Sequence, residues 1–312
     1  MRNRAQLLLL AFVLALPACD RGRSADRYYS IGTGGTGGVY YPLGGALASR
    51  LSALDSVRGY TAEVTGGSVE NIKRIANGEM ELGFTVSTSA YEAYHGGQDF
   101  PEAITGLRIV APVHPNVTHV LIGAASPVQS LRELRGRRIS VGAPGSGTEQ
   151  VARHVLEAYG LSYDDVQPRY LSFTESVSAL ADGAIDAAII SAGYPASAVL
   201  EALTTGRARL IPIDSAYGRI LVDRYPYYTI DRIPADGYPG LKAGVTTVVV
   251  LNWIVARDDL PADVVRLLLD VLAREQDQLR RVVQIAGQID PLSLRAAPIP
   301  LHDAARAWLE ER

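Results

Sequence analysis

The stretch YSIGTGGTGGVYY, residues 29–41, decides the fold. The residues before Gly32 favour a β-strand, and an apolar helical pattern begins at Val39 and Tyr40. A strand, a glycine loop and a helix therefore follow one another directly. Glycine lets the backbone lie close to a ligand, and the first N–H groups of a helix have no partner within it. Because the helix dipole adds positive charge at the same place, the sequence predicts an anion-binding turn.

The glycine loop alone permits three interpretations. Gly32, Gly34 and Gly37 satisfy G-x-G-x-x-G, the dinucleotide fingerprint, and an acidic residue follows at Asp55 or Glu63. The loop can also be a tight turn that binds nothing, or it can hold a different anion. The rest of the chain favours the third interpretation.

Residues 1–18 are predicted to be a secretory signal peptide. Two arginines precede an apolar run from Leu7 to Leu16, and this run is too short for a comfortable membrane span. Such a signal places the mature protein outside the cytoplasm.

The end of the signal, Leu16 to Cys19, resembles the lipobox of bacterial lipoproteins, in which the cysteine is lipidated and becomes the mature N-terminus. An ordinary signal peptide with an incidental cysteine is the alternative. Cys19 is the only cysteine, so no internal disulfide is expected. Residues 19–27 are then the lipidated N-terminus and its tether. Asp20 resembles the signal that keeps lipoproteins at the periplasmic face of the inner membrane.

Composition limits the remaining function classes. The chain has 312 residues, a formal net charge of −3 and 47% hydrophobic residues, which is typical of a globular α/β protein. No basic face with interleaved aromatic residues is present in the sequence, so a nucleic-acid partner is not expected. About 285 residues follow the tether, enough for two lobes that each bury a core.

The first half of the chain repeats the pattern of its opening stretch. Three predicted strands end in Gly, Ser or Thr and lead into a helix, at Gly32–Gly38, Thr65–Ser68 and Ser87–Ser89. The carboxyl ends of parallel strands share one edge of the sheet, where ligands bind. Each hydroxyl can also be only a helix cap. Three such turns at one edge favour a binding site.

The pattern restarts in the second half. Gly142–Thr148 is another glycine loop before a helix, and Ser191–Pro195 is another small-residue turn after a strand. The first of these nearly spells a phosphate loop, but it lacks the lysine that a triphosphate site requires. A smaller anion remains compatible with it.

Extended runs near 107–123 and a return near 210–214 are predicted to cross between two lobes. The first lobe then comprises residues 28–111 and 214–312, and the second lobe, residues 112–213, is inserted into it. Glycine loops of both lobes would face each other across a ligand cleft.

Seven sequence blocks resemble one family, the TAXI receptors, which are the solute-binding receptors of a class of tripartite ATP-independent periplasmic (TRAP) transporters. The blocks are GTGGTGGVYYPLGGALA (32–48), TGGSVENI (65–72), APGSGT (143–148), LSFTES (171–176), DAAIISAGYP (186–195), YPYY (225–228) and PIPLH (298–302). The resemblance implies a periplasmic-binding-protein-like fold of type II, in which two α/β lobes joined by a hinge close on a small carboxylate. Glutamate, glutamine and 2-oxoglutarate-like acids are among the ligands it implies. It also implies delivery to membrane permease subunits driven by an ion gradient.

The resemblance also carries over a set of ligand-binding positions. They are Gly34, Gly35, Thr36, Gly37, Gly38, Tyr40, Gly67, Ser68, Ser87, Gly145, Ser146, Gly147, Thr148, Ser191 and Gly193. Thr88, a hydroxyl at a strand end, and Tyr194, beside a small-residue turn, complete the predicted set.

The chain departs from the family pattern after its third strand. Val86, Ser87 and Thr88 stand where an amide, a small polar residue and a carboxylate are expected. Without those groups an amino group has fewer partners, so a plain mono- or dicarboxylate is favoured over an amino acid. The cation that meets the carboxylate is left open, with Arg169 and Arg219 as candidates.

Catalysis is not expected. No histidine lies in H-E-x-x-H, and Ser146 is not in G-x-S-x-G because Pro144 replaces the first glycine. His114 and His119 are interpreted as solvated or capping residues rather than a metal pair. The sequence thus predicts no catalytic residue, no cofactor and no metal. Two alternatives to a transport receptor remain, a sensor lipoprotein and a dinucleotide-binding oxidoreductase.

Overall fold

The structure, a computed structural model, describes residues 27–312. The predicted signal peptide and Cys19 lie outside the described residues. The strands are β1 (Arg27–Gly32), β2 (Arg58–Glu63), β3 (Leu82–Val86), β4 (Leu107–Gly123), β5 (Arg138–Ser140), β6 (Gln167–Arg169), β7 (Ala187–Ala192), β8 (Ala208–Ile211), β9 (Tyr228–Ile233) and β10 (Val245–Arg257).

Helices follow most of the strands. They are α1 (Tyr40–Leu54), α2 (Ser68–Ala76), α3 (Ser87–His95), α4 (Gly147–Ala158), α5 (Phe173–Ala181), α6 (Ser197–Thr204), α7 (Ser215–Arg224), α8 (Ala262–Arg274), α9 (Gln276–Val282) and α10 (Asp303–Glu310). No helix within residues 27–312 is long and apolar enough to cross a membrane.

The strands form a single sheet in the order β2-β1-β3-β10-β4-β7-β5-β6, with β8 beside β4 and β9 beside β10. β1 is parallel to β2 and β3, and β5 is parallel to β6 and β7. β3 and β7 are buried at every position, as expected for parallel strands covered on both faces. Helices α1 to α6 therefore begin after the carboxyl ends of strands, as the sequence predicted for α1, α2, α3, α4 and α6.

Two long antiparallel strands, β4 and β10, join the two halves of the sheet. Residues 252–255 of β10 pair with β3, whereas residues 245–250 pair with β9. In the same way, β4 pairs with β10 over 107–117 and with β7 over 117–122. The sequence predicted two extended runs at 107–123, and the structure joins them into one strand.

Buried apolar side chains form separate cores on the two sides of this crossing. The first core contains Leu43, Leu47 and Leu51 of α1, as their helical spacing predicts, together with Trp253. The second side has two clusters, one containing Ile189 and the other Ile190. Because neighbouring strand residues point to opposite faces, these clusters cover the two faces of one sheet.

The predicted boundary at residue 214 differs from this packing. Leu221 of α7 and Tyr228 of β9 are buried in a cluster of the second side, and so is Val250. The reason is that β9 pairs with the first half of β10, a long-range pairing that the local pattern does not encode. We propose that the first lobe comprises residues 28–113 and 251–312, and that the second comprises residues 114–250.

Candidate functional site

A cavity of about 90 Å³ lies between the two lobes. Since one water needs about 10–15 Å³ of such space, a small organic molecule fits. Its lining comes from both lobes: Gly34, Gly35, Gly38, Val39, Tyr40, Thr65, Gly66, Gly67, Ser68, Val86, Asn116, Ala143, Ser146, Gly147, Thr148, Ser172, Phe173, Ser191 and Ala192.

Four helices begin at the wall of this cavity. The N-cap residues of α1, α2, α4 and α5 are Val39, Gly67, Ser146 and Ser172, and all four line it. The helices have between 9 and 15 residues, long enough for each to contribute partial positive charge at its start. The first lobe supplies two of these starts and the second lobe supplies the other two. The arrangement favours an anion bound between the lobes.

The lobes touch at two places beside the cavity lining. The Gly145 carbonyl accepts hydrogen bonds from the amides of Val69 (3.0 Å) and Glu70 (3.1 Å) at the start of α2. The Gly37 carbonyl accepts from the Ala198 amide at 3.2 Å and from the Ser197 hydroxyl at 3.0 Å. The structure therefore shows the lobes closed on each other.

Glycine permits this close approach at the first position of α4. A Cβ atom at Gly147 would lie 2.5 Å from Val86 Cγ2 and 2.7 Å from Ser68 Oγ, both in the first lobe. Gly67, the N-cap of α2, has φ of +117°, which side chains rarely adopt. A larger residue at either position would disturb the wall of the cavity.

One hydroxyl in the lining has no partner. Within residues 27–312, two buried side-chain polar atoms lack a hydrogen bond, Ser191 Oγ and His114 Nε2. Ser191 lines the cavity and is 4% exposed. A buried hydroxyl normally pairs, so Ser191 has a hydrogen bond to offer an occupant. The prediction that His114 and His119 are solvated or capping is wrong, because the pairing of β4 with its neighbouring strands buries both completely. His114 does not line the cavity, and burial lowers the pKa of its ring to about 4.

The lining carries no charged side chain. Arg169 and Arg219, the candidate cations from sequence, are exposed and lie outside it. Arg169 instead donates to the Pro168 carbonyl at 3.0 Å. An anion in the cavity would therefore meet amide N–H groups, hydroxyls and helix dipoles rather than a counter-ion. Among the described residues, no group of three or more His, Cys, Asp or Glu is placed to hold a metal.

Most of the predicted ligand-binding residues meet at the cavity. Those in its lining are Gly34, Gly35, Gly38, Tyr40, Gly67, Ser68, Ser146, Gly147, Thr148 and Ser191. Those outside the lining are Thr36, Gly37, Ser87, Thr88, Gly145, Gly193 and Tyr194.

Three of the residues outside the lining, Ser87, Gly193 and Tyr194, have structural partners of their own. The Ser87 hydroxyl donates to the Leu251 carbonyl at 3.0 Å and accepts from the Trp253 indole at 2.8 Å. The Tyr194 carbonyl accepts from the Gln288 amide at 3.1 Å. A Cβ at Gly193 would collide with Ile285, so this glycine serves packing. These contacts join β10 and the C-terminal segment to the turns around the cavity.

Sequence reasoning missed several lining residues, chiefly Asn116, Ser172 and Phe173. Ser172 accepts from the Glu175 amide and Glu175 accepts from the Ser172 amide, which is a capping box. The spacing S-x-x-E was therefore a readable signal for a fourth helix start. Asn116 has no such signal, because its position depends on how β4 crosses between the lobes.

A second contact between the lobes lies outside the cavity, where α3 and its following loop meet α4. We call it the α3–α4 contact and define it by Thr88, Ser89, Glu92, Asp99, Gln150 and Arg153. Gln150 is fully buried; its amide donates to Glu92 at 2.5 Å and to Asp99 at 2.9 Å. Arg153 donates to Asp99 at 2.9 Å. This contact is charged, in contrast to the cavity.

Comparison with known families matches nearly the whole described chain. The sequence pattern that defines the NMT1-like family matches residues 31–312. A protein of Escherichia coli (strain K12) named for the binding of aliphatic sulfonates is 27% identical over 124 residues. That match covers 40% of this chain and 37% of the length of the relative.

Solved structures with a similar fold include the periplasmic binding protein BugD, with a TM-score of 0.57 at 14% identity, over 92% of this chain and 96% of that one. MatC from Rhodopseudomonas palustris, with bound malate, has a TM-score of 0.59 at 15% identity, over 91% of this chain and 97% of that one. The alkanesulfonate-binding protein SsuA from Xanthomonas axonopodis pv. citri, bound to MOPS, has a TM-score of 0.51 at 18% identity, over 87% and 83% of the chains. At these identities the likeness establishes the fold alone, which is the two-lobed α/β fold of periplasmic solute-binding proteins.

Proposed function

The chain belongs to the NMT1-like family, and from that premise we propose that it is an extracytoplasmic solute receptor. It closes its lobes on a small carboxylate and catalyses no reaction on it. One observation carries the proposal: four helix N-termini and the unpaired Ser191 hydroxyl converge on a cavity between the lobes. Amide N–H groups at helix starts bind anions, and those of both lobes bind best when the lobes are closed.

The uncharged lining favours a plain acid. Each hydrogen bond to a charged group contributes about 1.5–3 kcal/mol, so three or four such bonds reach the roughly 8 kcal/mol of a micromolar site without any arginine. The lining offers no carboxylate to pair with an ammonium group. We therefore propose a mono- or dicarboxylate in preference to an amino acid, held by the lining residues named above.

We further propose that the receptor is lipid-anchored through Cys19 at the periplasmic face of the inner membrane. The support is the lipobox-like sequence before Cys19 and the polar tether that follows it. In this arrangement the closed receptor delivers its ligand to the permease subunits of a TRAP transporter, as the resemblance to the TAXI receptors implies. Mass spectrometry of the mature N-terminus tests the anchor. Replacing Cys19 by serine should release the protein from the membrane fraction.

Thermal shift of residues 20–312 tests the ligand. The panel comprises malate, 2-oxoglutarate, acetate, glutamate, glutamine, an alkanesulfonate and NAD. We expect one plain carboxylate to raise the melting temperature by several degrees, because a ligand that binds only the folded state stabilises it. Calorimetry with that acid should show an affinity about 10- to 100-fold weaker in Ser191→Ala, since the bond is to a charged group.

The control is Ser178→Ala, which removes an exposed hydroxyl of α5 and should leave the affinity unchanged. Stabilisation by glutamate well above that by 2-oxoglutarate would contradict the preference for a plain acid. Stabilisation by the alkanesulfonate alone would keep the receptor and reject the carboxylate. A response to NAD alone would reject the receptor and favour the dinucleotide-binding alternative.

A further inference from the structure

The hydrogen-bond ladder between β4 and β10 is interrupted where the two strands cross between the lobes, and two prolines in the sequence cause the interruption. β4 carries Pro112 and Pro115 where it passes between the lobes, and proline has no N–H to donate to a neighbouring strand. The register with β10 shifts here: Leu251 faces Pro115 and Trp253 faces Pro112. Two residues of β4 therefore face Asn252 alone, which is a β-bulge.

Asn252 fills this gap with its side chain. It is 1% exposed, and its amide nitrogen donates to the His114 carbonyl at 2.6 Å. The same nitrogen donates to Asn116 Oδ1 at 2.7 Å. Its oxygen accepts the hydroxyl of Tyr40, whose pKa is raised by burial so that the hydroxyl keeps its proton. Asn252 thus supplies a side-chain hydrogen bond to β4 at the bulge, where the regular ladder is interrupted.

These contacts belong to a chain that crosses both lobes. Tyr40 lies at the start of α1 in the first lobe, and its hydroxyl reaches Asn252. Asn252 reaches Asn116, and Asn116 donates to the Ser191 carbonyl in β7 of the second lobe at 3.2 Å. Tyr40, Asn116 and Ser191 line the cavity, whereas Asn252 lies behind it.

The bond between Asn252 and Asn116 spans the hinge. Asn252 is in the part of β10 that pairs with β3 of the first lobe, opposite Val86. Asn116 immediately precedes the part of β4 that pairs with β7 of the second lobe. A rotation of one lobe against the other therefore changes the geometry of this bond. Buried amides are costly to leave unpaired, so the angle at which all members are paired is preferred.

We propose that Asn252 is a positioning residue for lobe closure: it holds the cavity-facing Tyr40 and Asn116 in register across the hinge and so favours the closed arrangement. This inference rests on the proposed receptor function, because it assigns Asn252 a part in closing on a ligand. It goes beyond that function by placing the control of closure on a residue outside the ligand cavity.

The test measures the distance between the lobes in ligand-free protein, so it does not depend on knowing the ligand. Residues 20–312 contain no cysteine, since Cys19 is the only one. Cysteines at the exposed positions Ala53 and Ala184, one in each lobe, accept spin labels for pulsed dipolar spectroscopy. The leucine side chain has a volume similar to that of asparagine but makes no hydrogen bonds. In Asn252→Leu we therefore expect the ratio of closed to open molecules to fall about fivefold or more.

Thr247→Val is the matched control. Thr247 is buried on the same strand and donates to the Thr118 carbonyl, but both residues are in the second lobe. Both variants should lower the free energy of unfolding, and only Asn252→Leu should shift the distance distribution. Tyr40→Phe removes the hydroxyl at the end of the chain and should shift it in the same direction. Combining Tyr40→Phe with Asn252→Leu should add little, since both break the same chain.

Identical distance distributions in Asn252→Leu and the wild type would overturn the proposal. An equal shift in Thr247→Val would also overturn it, because the effect would then be one of general destabilisation. If Asn252→Leu does not fold, Tyr40→Phe decides, and an unchanged distribution in that variant counts against the proposal. Failure of every panel compound to bind would reject the receptor function while this measurement still reports on Asn252.

Discussion

Two of the contacts between the lobes have opposite chemistry. The ligand cavity is lined by glycines, hydroxyls, apolar side chains and one amide, and carries no charged group. The α3–α4 contact, a short distance along α4, joins Gln150 and Arg153 to Glu92 and Asp99. A charge enters the cavity only with a ligand, whereas the α3–α4 contact contains charged side chains of the protein itself. We infer that the cavity provides recognition and that the α3–α4 contact contributes to closure whatever the ligand is.

The largest effect on ligand affinity is expected from a side chain that obstructs the ligand cavity. In Gly147→Val the new side chain would meet Val86 and Ser68 of the first lobe, at distances where a Cβ alone already collides. Overpacking of this kind costs about 1–3 kcal/mol and sometimes more. We expect the affinity for the most stabilising acid to fall about 100-fold by calorimetry, which corresponds to the upper part of this range.

Gly45→Val is the control for this substitution, because a Cβ at Gly45 has no neighbour within 4 Å. It should bind the acid with unchanged affinity. Equal loss of binding in the two variants would mean that the effect comes from the helix rather than from contact between the lobes. Unchanged binding in Gly147→Val would remove Gly147 from the wall that closes on the ligand.

The sequence predicted the helices around the cavity better than it predicted which side chains line the cavity. The apolar spacing of Leu43, Leu47 and Leu51 and the glycine turn before α4 are local signals, and the structure has helices where they indicate. In contrast, the local sequence does not determine where a hydroxyl at the end of a strand points. The Ser191 hydroxyl lines the cavity without a partner, whereas the Thr88 hydroxyl donates to Gln150 of α4.

Acid should lower the stability of the protein through His154, which follows Arg153 on α4. His154 lies beside Arg153, and burial, with the charges of Arg153 and Arg224, lowers its pKa to about 4. The unfolded chain takes up this proton near pH 6.5, so stability falls as the pH drops from 6.5 toward 4. Between pH 7 and pH 5 we expect His154 to cost about 2 kcal/mol of unfolding free energy.

Chemical denaturation of the wild type and His154→Gln at both pH values measures this contribution. The variant should lose less stability on acidification. Glu149 acts in the opposite sense, because burial raises its pKa, and so the difference between the two proteins is compared rather than the total. His114 and His119 also have pKa values lowered to about 4 by burial and keep some acid sensitivity in the variant. Equal slopes in both proteins would contradict the assignment to His154.

Removing the amide of the α3–α4 contact should weaken closure without altering the cavity. Gln150→Leu leaves Glu92 without the amide donor at 2.5 Å and Ser89 without its acceptor. A lost hydrogen bond to a carboxylate costs about 1.5 kcal/mol or more. We expect about tenfold weaker binding of the acid and a matching shift toward the open form between the spin labels. Gln98→Leu, at an exposed position of the same loop, should do neither.

The smallest effect is expected at Thr88, where sequence and structure disagree most directly. Its hydroxyl was predicted to bind the ligand, yet it lies 3.3 Å from Gln150 Oε1 and outside the cavity lining. That oxygen also accepts from Ser89 at 2.5 Å, so the Thr88 bond is the weaker of the two. Thr88→Val keeps the shape of the side chain and should change the affinity for the acid by less than about twofold.

Ser191→Ala provides the comparison, because both variants remove one buried hydroxyl at the carboxyl end of a central strand. Removing the Ser191 hydroxyl should lower the affinity for the acid at least about tenfold. Removing the Thr88 hydroxyl should hardly change this affinity, because only a bond to a charged ligand is strong. Equal losses, measured by calorimetry under the same conditions, would place Thr88 on the ligand. The division into a neutral cavity and a charged α3–α4 contact would then be wrong, because a residue of the α3–α4 contact would bind the ligand.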